Sequence, residues 1–208
     1  MSSAAEALAR LRDGNRRFVD DQTTAPALSS HTRRVALVAG QTPFAIVLGC
    51  SDSRVPAELV FDQGFGDLFV IRVAGNIVAP SQVGSVEFAA SRFGTRLVVV
   101  LGHSGCGAIT ATIEEITGQA TSQSRNLRSI VERVRPSVET LLLGRRDQDP
   151  EALIRDAVRA NVRASVNHLR NGSALLEQLS RSSGLRVLGA EYSLETGVVT
   201  FLDNLAAD

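Results

Sequence analysis

The chain has 208 residues, 22 basic and 22 acidic side chains, a formal net charge of zero and only two cysteines. This length fits one domain, or one domain with an arm, and it can bury a core without disulfides. The balanced charge argues against a nucleic-acid partner, which usually requires a basic excess. The basic residues are all arginines, so Schiff-base enzymes and the lysine of phosphate-binding P-loops are excluded.

The apolar segments predict a soluble, cytoplasmic protein with no membrane partner. The first 14 residues lack a cationic stretch followed by an apolar one, so no signal peptide is expected. The longest apolar runs, 45–49 and 97–102, are too short to span a bilayer. Two cysteines are also too few for the disulfide framework of a small secreted protein.

Residues 1–40 are predicted to form a helical arm ahead of a single α/β domain that occupies 41–208. A weak apolar stripe predicts a helix over 4–19, because the apolar residues recur at helical spacing. The polar stretch 20–30 predicts an extended connection, and Ser30 is expected to cap a short second helix. Such a weakly amphipathic arm needs another surface for its stability.

The middle of the chain alternates between apolar runs and helical patterns. The predicted strands are 43–49, 67–75 and 96–102, and the predicted helices are 82–93, with Ser81 as its N-cap, and 106–117. This alternation predicts a parallel sheet flanked by helices.

The last third of the chain predicts helices followed by a hairpin. A loop is predicted over 119–128, a helix over 127–143 that is bent or restarted at Pro136, a helix from Asp149-Pro150 to Asn171-Gly172, and a short helix through Leu179. Residues 185–193 and 198–202 flank a turn and predict the hairpin. The predicted fold class is therefore α/β, with about four mainly parallel strands plus a C-terminal antiparallel strand.

Two short motifs carry the candidate chemistry. Cys50, Asp52 and Arg54 follow the first predicted strand, and His103 and Cys106 follow the third. Parallel strands deliver such residues to one edge of a sheet, where open α/β sheets bind ligands. A single cysteine at a strand end is more often a small buried apolar residue. Here, however, both cysteines lie at equivalent strand ends beside other ligand types, and thiolates with imidazole suit Zn²⁺.

The role of Asp52 decides between two kinds of zinc site. Three ligands, Cys50, His103 and Cys106, leave a fourth position for water, which is the catalytic arrangement. Coordination by Asp52 as well would close the site and make it structural. Arg54 favours the catalytic interpretation, because an arginine paired with Asp52 would hold that carboxylate away from the metal.

With these residues in view, the chain resembles the β-class carbonic anhydrases of bacteria. The resemblance rests on CSDSRVPAELVFDQGFGDLFVIRVAGN at 50–76 and LGHSGCGA at 101–108, supported by GNRRF at 14–18 and QTPFAIVLGCSDSR at 41–54. It covers about residues 8–118 in detail and the rest in outline. It implies reversible hydration of CO₂ to bicarbonate and a proton, through a zinc-hydroxide mechanism.

The resemblance also implies particular roles for the motif residues. Cys50, His103 and Cys106 would hold one zinc ion per subunit, and Asp52 and Arg54 would form a catalytic dyad. If that dyad broke, Asp52 could itself bind the zinc and give an inactive state, which lower pH would favour.

A substrate pocket is implied as well. Gln41 would offer its amide, Gly107 a backbone N–H, and Phe69, Val73 and Phe88 apolar walls. For the aromatic residues, ordinary core packing is an equally good interpretation.

Family members are dimers that build larger assemblies, so a homodimer or homotetramer is expected, with residues 1–40 reaching onto a partner subunit. Two alternatives remain open at this point. One is the same fold acting on CS₂ or COS, and the other is a structural-zinc protein that senses bicarbonate.

Overall fold

The computed structural model of the chain describes residues 2–24, 29–120, 124–143 and 149–202. Parts of the predicted connection over 20–30 and of the predicted loop over 119–128 lie outside these ranges. Among the described residues, no helix combines the length and the apolar character that crossing a bilayer requires.

A five-stranded sheet forms the centre of the fold, in the order β2-β1-β3-β4-β5. Its strands are β1 (Ala45–Gly49), β2 (Leu68–Arg72), β3 (Leu97–His103), β4 (Arg186–Tyr192) and β5 (Val199–Phe201). The first four run parallel, and β5 pairs antiparallel with β4. Every residue of β1 and β3 is buried, which explains why both read as continuous apolar runs. The predicted fold class is confirmed.

Helices cover both faces of this sheet. They are α1 (Ala4–Val19), α2 (His31–Ala36), α3 (Ala57–Val60), α4 (Pro80–Arg92), α5 (Gly107–Ile116), α6 (Arg125–Leu143), α7 (Pro150–Asn171) and α8 (Ala174–Ser182), with a 3₁₀ turn at Ala74–Asn76. One apolar layer lies between the sheet, α1 and α3, and a second lies between the sheet, α4, α7 and α8.

Several predicted element boundaries were wrong. Helix α4 begins at Pro80 with Ala79 as its N-cap, because a proline in the first turn needs no N–H partner, so Ser81 lies inside the helix. Helix α6 starts at Arg125, inside the predicted loop, and runs through Pro136 as one helix. Its buried residues Val131, Val134 and Val138 lie on both sides of the proline, so packing holds the helix together there.

Strand β2 ends earlier and helix α5 starts later than predicted. The strand stops at Arg72 because the 3₁₀ turn begins at Ala74. Cys106 has an extended backbone and is the N-cap of α5, so it lies just before the helix rather than in its first turn. Both differences affect the metal centre described below.

Helix α1 packs on its own chain, on the face of the sheet that also holds α3. Leu8 and Leu11 are buried there together with Phe61. Asn15 fixes the helix further, since its Nδ2 donates to the carbonyl oxygen of Val60 at 3.1 Å and its Oδ1 accepts from the backbone of Val199 at 2.8 Å. The surface on which the arm depends is therefore present within the chain itself. Docking of the arm on a partner subunit stays a prediction.

Candidate metal centre

Three potential metal ligands meet at the carboxyl end of the parallel strands. Cys50 follows β1 directly, His103 is the last residue of β3, and Cys106 caps α5. One ligand atom from each lies within 4.8 Å of the other two, and all three residues are buried. The topology therefore brings both cysteines of the chain and one of its three histidines to one point.

The imidazole of His103 has one nitrogen ready for a metal. Its Nδ1 lies 2.9 Å from the carbonyl oxygen of Ser104, so the proton is assigned to Nδ1. The buried Nε2 has no hydrogen-bond partner within the described part of the chain. A buried nitrogen with a free lone pair, beside two sulfur atoms, is the donor set that zinc prefers, so the residues fit this ion.

The hydrogen bond between the two sulfur atoms shifts the pKa values of Cys50 and Cys106 in opposite directions. The hydrogen bond from Cys106 lowers the pKa of Cys50 to about 4, and smaller contributions come from His103 and from the backbone N–H of Gly75. The same bond, together with burial, raises the pKa of Cys106. Burial works to lower the pKa of His103, but Cys50 and Asp52 outweigh it and raise that pKa. A divalent cation bound here would favour the thiolate form of both cysteines.

Asp52 lies beside this cluster and is held by Arg54. Nε of Arg54 donates to Oδ1 at 2.9 Å and Nη2 donates to Oδ2 at 2.7 Å, which makes a bidentate pair. This pairing holds the pKa of the Asp52 carboxyl well below its usual range. Oδ2 is 3.8 Å from Nε2 of His103. The carboxylate is thus ionised and engaged by the arginine next to the three ligands.

The implied pocket residues are distributed unevenly around the centre. Val73 packs against the apolar cluster that contains Cys50 and Cys106, and Gly107 opens α5 directly after Cys106. Phe69 and Phe88 pack on each other with ring centroids 6.1 Å apart, and Phe88 is half-exposed.

Gln41 is not brought to this centre. It precedes β1, whereas Cys50 follows that strand, so the strand itself separates the two residues. Five residues of a strand at about 3.3 Å each span roughly 16 Å. Within one chain, Gln41 therefore lies towards the amino-terminal ends of the parallel strands, whereas the metal centre lies at their carboxyl ends.

Two groups at this centre were missed in the sequence. Arg72, the last residue of β2, donates from Nε to the carbonyl oxygen of Cys50 at 3.0 Å and from Nη2 to that of Asp52 at 2.6 Å. The backbone N–H of Gly75 donates to Sγ of Cys50 at 3.3 Å. The signal for Arg72 was its place at the end of a strand beside β1, where Arg72 pairs with Gly49 in the register.

Comparisons with known proteins agree with this geometry. The sequence profile of the carbonic anhydrase family matches residues 45–199. Carbonic anhydrase 2 of Mycobacterium tuberculosis is 38% identical over 195 residues, which cover 94% of this chain and 91% of the relative. The carbonic anhydrase of Mycolicibacterium smegmatis is 37% identical over 204 residues, covering 98% of this chain and 96% of the relative.

Solved structures share the fold. The β-carbonic anhydrase CcaA superposes with a TM-score of 0.73 at 27% identity, over 94% of this chain and 95% of that one. A β-carbonic anhydrase of Sordaria macrospora, described as tetrameric, superposes with a TM-score of 0.74 at 24% identity, over 84% of this chain and 87% of that one. The chain belongs to the β class of the carbonic anhydrase family.

Proposed function

We propose that this chain catalyses the reversible hydration of carbon dioxide to bicarbonate and a proton, with one zinc ion per subunit. Cys50, His103 and Cys106 would hold the zinc ion, since soft thiolates with imidazole favour this metal over Mg²⁺ or Ca²⁺. The observation that carries the proposal is the bidentate Arg54–Asp52 pair, which keeps a fourth potential ligand engaged beside a three-residue donor set.

When bound by three protein ligands, zinc would act as a Lewis acid that lowers the pKa of water towards neutrality. The protein's own groups would then orient the reactants. Asp52 is ionised and can only accept hydrogen bonds, so it would hold the proton of the attacking water and direct the oxygen lone pair at the carbon of CO₂. Arg54 fixes the direction of that carboxylate. Val73 offers an apolar wall suited to a small neutral substrate.

A pair of substitutions separates metal binding from catalysis. Cys106→Ala is expected to lose zinc and activity, while Asp52→Asn should keep one zinc per chain and still lose most CO₂ hydration. The measurements are zinc content by elemental analysis and stopped-flow CO₂ hydration on the zinc-loaded proteins. An Asp52→Asn protein with wild-type activity would overturn the assigned role of Asp52.

The two alternative functions have less support. A purely structural zinc site has no need of an arginine that holds back a fourth ligand, and the pairing of Arg54 with Asp52 therefore favours a catalytic site. No relative or family match described above names CS₂ or COS as a substrate. Assays with CS₂ and COS beside CO₂ would test this point directly.

We further infer that the chain assembles with copies of itself. Strand β2 is an edge of the sheet, and Phe88 is 53% exposed beside Phe69 of that strand. Edge strands and exposed aromatic residues are surfaces that proteins usually cover. If Gln41 serves an active site, its place before β1 means that it serves the site of another subunit. Light scattering after gel filtration tests whether the chain assembles. The cytoplasmic location of the protein stays a prediction.

A further inference from the structure

The turn that follows β2 brings a backbone N–H group into the metal centre. Gly75 donates this N–H to Sγ of Cys50, and the bond is buried. Gly75 and Asn76 both have left-handed backbone angles, with φ of 69° and 43°, and this conformation is costly for the non-glycine residue Asn76. Nδ2 of Asn76 is buried and has no hydrogen-bond partner in the described ranges. Such a segment keeps its shape only where its surroundings hold it in place.

Helix α7 supplies the groups that hold this turn. Nδ2 of Asn161 donates to the carbonyl oxygen of Gly75 at 2.8 Å, and Oγ of Ser165 donates to that of Asn76 at 3.1 Å. The two side chains lie one helical turn apart and therefore on one face of α7. Both residues are buried on a face that also carries Val162. Buried polar groups are costly unless they are hydrogen-bonded, and the bonds that compensate here go to the turn.

The Asn161 bond and the sulfur bond are coupled through a single residue. The carbonyl that accepts from Asn161 and the N–H that donates to Cys50 both belong to Gly75. These groups belong to the two peptide units that meet at the Cα atom of Gly75, so a displacement of this residue would weaken both bonds. A hydrogen bond to a thiolate draws charge from the sulfur, so the sulfur donates less to a bound cation. This matters in a site with two thiolates, which together already balance the charge of a divalent ion.

We propose that Asn161 is a positioning residue for the metal centre: it holds Gly75 in place, with the N–H of that residue against Sγ of Cys50, and thereby weakens the donation of that thiolate. The inference rests on the proposed zinc site and deepens it. Asn161 acts through Gly75 and Cys50 and itself touches neither the ion nor the substrate.

The test uses Asn161→Leu, which keeps the branched shape of the side chain, although leucine is larger, and removes the donor. In the Co²⁺-loaded protein, the thiolate-to-cobalt charge-transfer band should move to longer wavelength, because a thiolate that loses the hydrogen bond from Gly75 gives up an electron more easily. In the zinc-loaded protein, kcat for CO₂ hydration should fall about 10-fold, as is typical for partners of metal ligands. The cobalt spectrum does not depend on turnover. A wild-type protein that binds cobalt but does not hydrate CO₂ would therefore overturn the proposed function alone.

A matched control is Thr95→Val. Thr95 is buried, and its Oγ1 donates to the carbonyl oxygen of Pro43 at 2.7 Å at the opposite end of the sheet. This variant should lose stability without any shift of the band. Asn161→Ala serves as a second variant if leucine does not fit. The proposal is wrong if the Asn161 variants keep the wild-type band, or if neither gives a native circular dichroism spectrum, because Asn161 would then be a folding requirement.

Discussion

Arg72, at the end of β2, donates from Nε to the carbonyl oxygen of Cys50, the residue that follows the neighbouring strand β1. Its second donor, Nη2, reaches the carbonyl oxygen of Asp52. One guanidinium thus binds the backbone of a candidate metal ligand and that of the residue held by Arg54. The segment from Cys50 to Asp52 belongs to no helix or strand, and the side chain of Arg72 holds its backbone in place.

Arg72→Met is expected to lower CO₂ hydration about 10-fold and to speed zinc loss to a chelator, because hydrogen bonds from a charged group contribute roughly 1.5–3 kcal/mol. Arg72→Lys should recover only part of this, since an ammonium cannot reproduce the planar fork. Zinc release to a coloured chelator and stopped-flow hydration provide the two readouts. Arg16→Met, at an exposed ion pair with Asp13, is the control and should change neither. Equal zinc release from the Arg72 variants and the wild type would refute the role given to Arg72.

The pH dependence of stability should carry a contribution from Asp52. Arg54 depresses the pKa of this carboxyl in the folded chain, so the stabilisation is complete above the unfolded pKa, which is about 3.9, and is lost as pH falls through the folded value. Urea unfolding of the metal-free protein between pH 7 and pH 3 measures this effect. The wild type should lose more stability than Asp52→Asn, and the difference should be small because Arg54 is exposed. A wild type that lost less than the variant would reverse the sign of this prediction.

Arg54→Ala tests whether the pair keeps Asp52 from the metal. Without the guanidinium, the carboxylate is free to move towards Nε2 of His103, from which Oδ2 is now 3.8 Å. We expect the cobalt-loaded variant to show a fully protein-ligated tetrahedral spectrum and to lose the response to added anions that the wild type gives. Arg54→Lys should show an anion response between that of the wild type and that of Arg54→Ala. An Arg54→Ala spectrum that still responds to anions would mean that Asp52 stays off the metal unaided.

The ion pair between Arg17 and Asp62 is expected to anchor helix α1. Nε of Arg17 lies 2.5 Å from Oδ2 of Asp62, whose side chain is fully buried. Removing one member of a buried pair costs roughly 3–5 kcal/mol, and the partial exposure of Arg17 reduces our expectation to about 2 kcal/mol for Arg17→Ala. Urea unfolding provides the measurement. The neighbouring Arg16→Ala, which affects only an exposed pair, should cost under about 0.5 kcal/mol, and equal losses in the two variants would contradict this assignment.

Gly14 allows α1 to approach α3 closely. A Cβ atom at this position would lie 1.8 Å from the carbonyl oxygen of Phe61, so Gly14→Ala must displace the helix and should cost about 3 kcal/mol. Gly84 is the matched control, because it lies inside α4 and a Cβ atom added there would meet no described atom within 4 Å apart from the adjacent residues and the backbone of its own helix. Gly84→Ala should stabilise the fold by roughly 0.5–1 kcal/mol. Urea unfolding of both variants measures the two effects, and a Gly14→Ala protein as stable as the wild type would contradict the close approach of α1 to Phe61.

The sequence sufficed for the features that depend on strand order. Cys50 and His103 could be placed together because two buried apolar runs predicted parallel strands, and such strands end at one edge. Bonds between distant backbone and side-chain atoms leave no such pattern. The side chains of Arg72 and Asn161 donate hydrogen bonds to carbonyl groups 20 and 86 residues away in the chain, and neither residue lies in a recognisable motif. The N-cap at Ser81 was mispredicted because Pro80 begins the helix without a side-chain cap.

The three candidate ligands differ in how firmly the sheet anchors them. His103 ends a strand that is paired with β4 through seven consecutive residues, up to and including His103 itself. Cys50 lies one residue beyond the last pairing of β1, and Cys106 lies outside the sheet as the N-cap of α5. Amide hydrogen exchange should therefore be slowest around His103 and faster around the two cysteines. Metal exchange is then expected to begin with detachment of a sulfur atom while the imidazole stays in place.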